Sequence, residues 1–194
     1  MNIAHIEEYS FIYGPGCRSV IWTQGCSIRC PGCWNKNLWN FRPNKELTVD
    51  EIVSIILKQR TFIEGVTVLG GEPFDQYTEL LKLCKAFADA KLSLIVYSGY
   101  EKQTLLDKGY NKIFQFIDIL ISGPYKETLR SMRLGLIGSS NQCYDFFTNR
   151  YSETDLVKTN EIEIAFTDMG SMQIYGYPDN TKTEQSSSKV RMMN

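Results

Sequence analysis

Apolar positions along the chain follow two alternating periods. Residues 18 to 24, RSVIWTQ, are dense in β-formers and read as a strand. In TVDEIVSIILKQR, residues 48 to 60, the side chains of Val49, Ile52, Val53 and Ile56 fall on one helical face. Thr48 and Glu51 stand three apart at its start, the spacing of a capping box. GVTVL, residues 65 to 69, is a short buried strand that runs into GGEPFDQ. A second helix is expected from about Asp75, with Tyr77, Leu80, Leu81, Cys84 and Phe87 on one stripe. LSLIVY (92–97) predicts a strand, residues 101 to 108 a short helix, and FIDILIS (116–122) another strand.

Strands alternating with helices call for a parallel sheet with helices packed on it. Such sheets collect functional loops at the C-terminal ends of their strands. The four chemistry-bearing segments of this chain all fall there: the cysteine loop, GGEP, YSGY and SGPY. After residue 123 the pattern loosens. EIEIAF (161–166) and SMQIYGY (171–177) alternate around Asp168, Met169 and Gly170, and predict a C-terminal hairpin. The polar tail from Pro178 onward predicts disorder. The expectation is one domain over residues 1–178 and a disordered tail over 179–194.

Composition narrows the class. With 43% hydrophobic and 22% charged residues in 194, the chain reads as an ordinary globular protein. A net charge of −1 offers no global field for nucleic acid, so none is expected as a partner. No apolar run approaches membrane-spanning length and no secretory signal pattern is present, so no membrane is expected and the cytoplasm is the expected compartment. Thiols stay reduced there. The six cysteines are therefore ligands, catalysts or core residues before they are disulfides.

Three of them stand together in QGCSIRCPGCWN: Cys26, Cys30 and Cys33, spaced C-x3-C-x2-C with no fourth nearby. Iron–sulfur clusters are held by thiolates, and three ligands on a four-iron cubane leave one iron open for a substrate or cofactor. The competing reading is a zinc site completed by His5, Cys17 or Cys143, and spacing alone divides evenly between the two.

The second motif separates them. C-x3-C-x2-C followed by GGEP (Gly70 to Pro73) resembles the radical S-adenosylmethionine enzymes. GPGCR (14–18), QGCSIRCPGCWN (24–35), LGGEPFDQ (69–76), YSGY (97–100), SGPY (122–125) and GSSNQ (138–142) narrow the likeness to the glycyl-radical activating enzymes, specifically the anaerobic ribonucleotide reductase activator subgroup. The resemblance implies an α/β fold, an incomplete (β/α) barrel open on one side. It implies a [4Fe–4S] cluster on Cys26, Cys30 and Cys33, whose open iron chelates the methionine end of S-adenosylmethionine. Reductive cleavage would yield a 5′-deoxyadenosyl radical that takes hydrogen from a glycine of a partner glycyl-radical enzyme. The electron would come from a donor such as flavodoxin or ferredoxin.

The resemblance also distributes roles. Gly70, Gly71 and Glu72 meet the methionine end, the amides of Gly70 and Gly71 donating to the ligand and Glu72 accepting from its ammonium group. The backbone from Gly32 to Trp34 faces adenine, with the Trp34 ring either stacked on it or packed beneath the loop. Ser98 and Gly99 contact ribose or carboxylate. Asn141 and Gln142 line the mouth where a partner loop arrives. Arg18 pairs with an anion near the cluster or with Glu72, against a surface salt bridge as the plain reading. Cys84 is a core residue, Cys17 and Cys143 lack ligand spacing, and His5 is expected to be exposed. Tyr13 stands where the subgroup commonly has an acid. The segment beyond residue 143 is longer than the motifs need, which keeps open a radical enzyme acting on a small molecule or ribosomal peptide. A non-catalytic metal-binding module is the remaining alternative.

Overall fold

The computed structural model describes residues 1–131, 135–156, 161–166, 172–176 and 190–192. Strand β1 (Asn2–Ser10) runs antiparallel to β2 (Arg18–Thr23), with register shifts after Ile3 and after Glu7. The chain then passes through the cysteine loop, adds the short strand β3 (Lys45–Glu46) to the outer side of β1, and enters helix α1 (Val49–Leu57). From there strand and helix alternate: β4 (Gly65–Gly70), α2 (Tyr77–Asp89), β5 (Ser93–Ser98), α3 (Lys102–Asp107) and β6 (Ile119–Ser122). β7 (Cys143–Phe146) returns antiparallel against β6. The sheet has seven strands in the order β3-β1-β2-β4-β5-β6-β7, and β2, β4, β5 and β6 are mutually parallel. The chain is thus an α/β protein on a large, mostly parallel sheet, as the alternation predicted.

Local chemistry places the helix starts. Thr48 caps α1 with its hydroxyl, which accepts from the Glu51 amide at 3.2 Å, while the Glu51 carboxylate accepts from the Thr48 amide at 2.7 Å. α2 begins two residues later than Asp75, because Pro73 to Gln76 form a 3₁₀ turn first. Ile52, Ile56, Leu80, Leu83, Cys84 and Phe87 project from α1 and α2 onto Ile21, Val66, Val68, Leu94, Val96 and Leu120 of the sheet. Each such fully buried aliphatic or aromatic side chain contributes roughly 1.5–3 kcal/mol.

Among the described residues the other face of the sheet carries no α-helix, only the 3₁₀ turns that supply Leu38 and Leu156. Val20, Trp22 and Leu69 pack with Tyr13 and Tyr175, and Ile95, Ile119 and Ile121 pack with Ile137, Tyr151 and Leu156. Tyr175 belongs to the C-terminal hairpin, β8 (Ile162–Phe166) against β9 (Met172–Gly176), which forms as predicted. Its turn at 168–170 lies outside the described residues. β10 (Val190–Met192) pairs parallel with β9, within the segment expected to be a disordered tail. The remainder of that tail lies outside the described residues.

The hairpin docks through specific contacts. The Glu163 carboxylate accepts from Ser10 Oγ and from the Phe11 amide, both at 2.6 Å. The rings of His5, Trp22 and Tyr175 form a triangle, with centroids 5.3 Å (His5–Trp22), 6.0 Å (His5–Tyr175) and 6.1 Å (Trp22–Tyr175) apart. His5 is therefore partly buried, contrary to its expected exposure: a strand carries it onto the same aromatic layer that receives Tyr175. No described helix is long and apolar enough to cross a membrane.

Candidate functional site

Loops following β2, β4, β5 and β6 meet at the C-terminal edge of the parallel strands, where they enclose a cleft of about 790 Å³, its solvent mouth included. Cys26, Cys30 and Cys33 line it together with Gly70, Gly71 and Glu72 from the second loop, and Ser98 and Gly99 from the third. Motifs nearly 75 residues apart in sequence thus share one wall, because a parallel register places successive strand ends side by side.

The cysteine loop is held by backbone and by the second half of GGEPFDQ. Gly25, at φ +100°, donates its amide to Leu38 O at 2.9 Å, and the Cys26 amide reaches Trp39 O at 3.3 Å. Asp75 accepts from both the amide and the hydroxyl of Ser27, at 2.7 and 2.8 Å, and Tyr100 OH lies 2.9 Å from the same hydroxyl. Gln76 donates to the carbonyls of Asn2 and Gln24, at 3.0 and 3.2 Å. The cysteine loop is therefore anchored by residues that the motif comparison treats as the tail of GGEP.

GGEP itself is packed more tightly than expected. The Gly71 amide donates to Thr23 O and the Glu72 amide to Gly25 O, both at 2.8 Å. Both donors are taken by the protein, which corrects the expectation that the Gly71 amide donates to a ligand. A Cβ at Gly71 would stand 2.1 Å from Gly25 O, so the missing side chain admits the neighbouring backbone. Glu72 is 1% exposed. Its carboxylate accepts from the amides of Phe74 (3.0 Å) and Gly99 (2.7 Å) and from Ser98 Oγ (3.0 Å). Burial pushes its pKa up to about 7, against the pull of those donors.

Trp34 lines the cleft, and the Arg130 guanidinium lies 4.8 Å from its ring centroid. Gly32 is turned away at φ +73°, where a Cβ would meet the Glu127 carboxylate at 2.6 Å. Gln142 lines the cleft; Asn141 does not. Gln142 accepts from the amides of Gly138 and Ser139 and donates to Gly123 O at 3.1 Å, while Asn141 donates to Pro124 O at 2.8 Å. GSSNQ is thus a brace that fastens itself to the SGPY turn, a role its polar composition did not reveal.

Arg18 contradicts both of its expected partners. It is fully buried at the opposite end of β2 from the cysteines. Its guanidinium donates to Thr67 Oγ1 (2.8 Å), Ser93 Oγ (2.9 Å), and the carbonyls of Val66 and Ser93 (2.9 and 3.1 Å). Residues 18, 20 and 22 share one strand face, so Arg18 faces the side that carries Trp22 and Tyr175, near the N-terminal strand ends and away from Glu72.

Ile28, Trp39, Tyr97 and Tyr125 also line the cleft, and the motif reading had not placed them there. Ile28, Tyr97 and Tyr125 lie within the cysteine loop, YSGY and SGPY, which pointed to this edge; only Trp39 stands outside the quoted motifs.

Residues 12–145 match the family described as a 4Fe-4S single cluster domain. The chain belongs to that family. The anaerobic ribonucleoside-triphosphate reductase-activating protein of Enterobacteria phage T4 is 32% identical over 151 residues, covering 73% of this chain and 92% of that protein. The pyruvate formate-lyase-activating enzyme of Clostridium pasteurianum is 39% identical over 91 residues, 43% of this chain and 38% of its own length. The corresponding enzyme of Staphylococcus aureus strain USA300 is 42% identical over 95 residues, 46% of this chain and 37% of its own. This chain therefore spans well under half of those two enzymes. The likeness to radical S-adenosylmethionine activating enzymes, read from the motifs, is borne out.

The residues present suit a four-iron cluster. Three soft sulfur donors line one cavity, and no other cysteine or histidine among the described residues lines it. Cys17 lies before β2, Cys84 is buried on α2, and Cys143 is exposed at the start of β7. Among the described residues no three His, Cys, Asp or Glu side chains gather as a single metal ion requires. A cubane does not ask for that, since each thiolate takes a separate corner. Burial raises the Cys26 and Cys30 thiols, while amides of Arg29 and Ile28 toward Cys26, and of Tyr125 toward Cys30, oppose the shift. Metal binding deprotonates such thiols outright.

Proposed function

We propose that this chain binds S-adenosylmethionine beside a [4Fe–4S] cluster and activates a glycyl-radical enzyme of the anaerobic ribonucleotide reductase kind. The observation that carries the reading is the shared cleft: three thiols, the GGEP turn and the YSGY turn on one wall at the C-terminal edge of a parallel sheet. When bound and reduced by one electron, the two cofactors supply a carbon-centred radical able to abstract hydrogen.

The protein's own part is position and shielding. Cys26, Cys30 and Cys33 hold three irons and leave the fourth without a protein ligand. Glu72 fixes the spacing between the GGEP and YSGY turns, so Gly70, Ser98 and Gly99 present a preset surface to the methionine and ribose portions. Trp34, steadied by Arg130, offers its ring to adenine. Tyr125 and Gln142 border the mouth. We read the sheet as an incomplete (β/α) barrel. A strand order that ends at β3 and β7 without joining them supports that reading, because an unclosed sheet lets a protein loop approach. A small one-electron carrier of the flavodoxin or ferredoxin type is the expected reductant, and the cytoplasm the expected compartment.

The test mixes the reconstituted protein, S-adenosylmethionine, a reductant and a glycyl-radical candidate from the same genome, without oxygen. A glycine-centred doublet in electron paramagnetic resonance, with stoichiometric 5′-deoxyadenosine, is the expected result. Nucleoside without a protein radical, across every such candidate, would move the substrate to a small molecule or peptide.

A further inference from the structure

The segment from Cys26 to Lys45 contains four basic side chains, Arg29, Lys36, Arg42 and Lys45, and no acid, in a chain whose net charge is −1. All four are exposed, and among the described residues none is ion-paired. The segment folds back along the cysteine loop. Leu38 O and Trp39 O accept from the amides of Gly25 and Cys26, and Gln24 Nε2 donates to Asn40 O at 2.8 Å. Phe41 covers Gly25, where a Cβ would meet its ring at 2.5 Å, yet it remains 53% exposed. Trp39 lines the cleft beside the cysteines. The acids beside the cysteine loop are Asp75, bound to Ser27, Glu127, against Gly32, and the buried Glu72, whose amide donates to Gly25 O; Glu46, exposed, follows Lys45 in β3.

One segment, hydrogen-bonded along the cysteine loop, therefore presents four exposed cations and an exposed aromatic. Electron transfer weakens steeply with distance, so a reductant must dock close to the cluster loop. Opposite charge raises encounter rates and fixes orientation in such short-lived complexes. Resting on the reading above, we propose that Lys36, Arg42 and Lys45, with Phe41 on the same segment, form the docking face for an acidic one-electron carrier protein. The carrier loses one electron, the cluster gains it, and no bond is made or broken.

The experiment uses the full chain, reconstituted, with a purified acidic flavodoxin as the probe. Binding of oxidised flavodoxin should be measurable at low ionic strength and fall about tenfold or more by 0.3 M salt, as screened charge pairs do. The triple variant K36E/R42E/K45E should weaken low-salt binding at least tenfold, and K36Q/R42Q/K45Q by an intermediate amount. Circular dichroism and iron content establish that both variants are folded and loaded. Dithionite-driven cleavage of S-adenosylmethionine should proceed at the wild-type rate in both. Unchanged affinity in the charge-reversed variant overturns the proposal, as does absence of flavodoxin binding to the wild type. Equal loss of dithionite-driven cleavage overturns it too, because the charges would then act on the site. Binding of a short DNA duplex in place of flavodoxin reassigns the face to nucleic acid. If wild-type protein binds flavodoxin but cleaves no S-adenosylmethionine with either reductant, the functional reading fails and the docking face stands.

Discussion

The Glu72 carboxylate accepts the Gly99 amide proton at 2.7 Å and so ties the turn after β4 to the turn after β5. It does this while buried, beside Asp75, with its pKa raised by desolvation to about 7. A native value above the ordinary 4.5 means that the folded state holds a proton the unfolded state has released. The associated stability is complete below pH 4.5 and is lost as pH rises through 7. At 1.36 kcal/mol per pKa unit the loss is on the order of 3 kcal/mol. Glu72→Gln, which resembles the protonated acid, should gain on wild type between pH 5 and pH 8. Urea unfolding of the iron-free, reduced protein measures this. A gap between the two proteins that does not change with pH would sink the assignment.

Replacing Cys26, Cys30 or Cys33 by Ala should abolish four-iron incorporation under anaerobic reconstitution, since each thiolate occupies its own corner. Cys84→Ala should leave iron content per chain unchanged, because Cys84 lies fully buried on α2 and does not line the cleft. Iron and sulfide analysis decides; full cluster content in the triple variant contradicts the ligand set.

Gly71→Val tests the packing of the two loops. Its Cβ would fall 2.1 Å from Gly25 O, and backbone cannot yield as a flexible side chain would. The expected outcome is loss of iron uptake together with cofactor binding, through displacement of the cysteine loop. A variant with full iron content and weakened S-adenosylmethionine affinity alone would instead show that the side chain fills ligand space.

Arg18→Met removes a fully buried cation and strands Thr67, Ser93 and two carbonyls that now accept from it. A loss on the order of 1–3 kcal/mol for each acceptor left without a donor is expected. Iron content per folded chain should stay at the wild-type level, since Arg18 and the cysteines occupy opposite ends of β2. Chemical denaturation and iron analysis on the same samples separate the two effects.

Gln142→Ala should loosen the SGPY turn. The side chain joins Gly138, Ser139 and Gly123 at once, so two amides and a carbonyl lose their partner together. Faster amide hydrogen exchange at residues 138 and 139, with iron content retained, is the expected signature. Unchanged exchange there would mean that the brace is redundant.

Local pattern was enough for much of this protein. Period and capping chemistry placed α1, α2 and the four parallel strands to within a few residues, because those signals are written in adjacent side chains. C-x3-C-x2-C and GGEP announced the chemistry, since the loops that carry them are contiguous in sequence. β1 was not legible: Glu7, Glu8 and the register shifts within it break the alternation that marks a strand. β7 escaped for a related reason, being four residues whose only reason to extend is β6 beside them. The placement of charge and hydrogen-bonding capacity belonged to tertiary structure. Arg18 looked like a site residue until the strand direction put it at the far end of β2, and His5 looked exposed until Tyr175 closed over it. The amide of Gly71 looked free for a ligand until Thr23 O took it. A sequence states which donors and acceptors exist, but burial requires each to find a partner, and only the packed chain decides which partner is within reach.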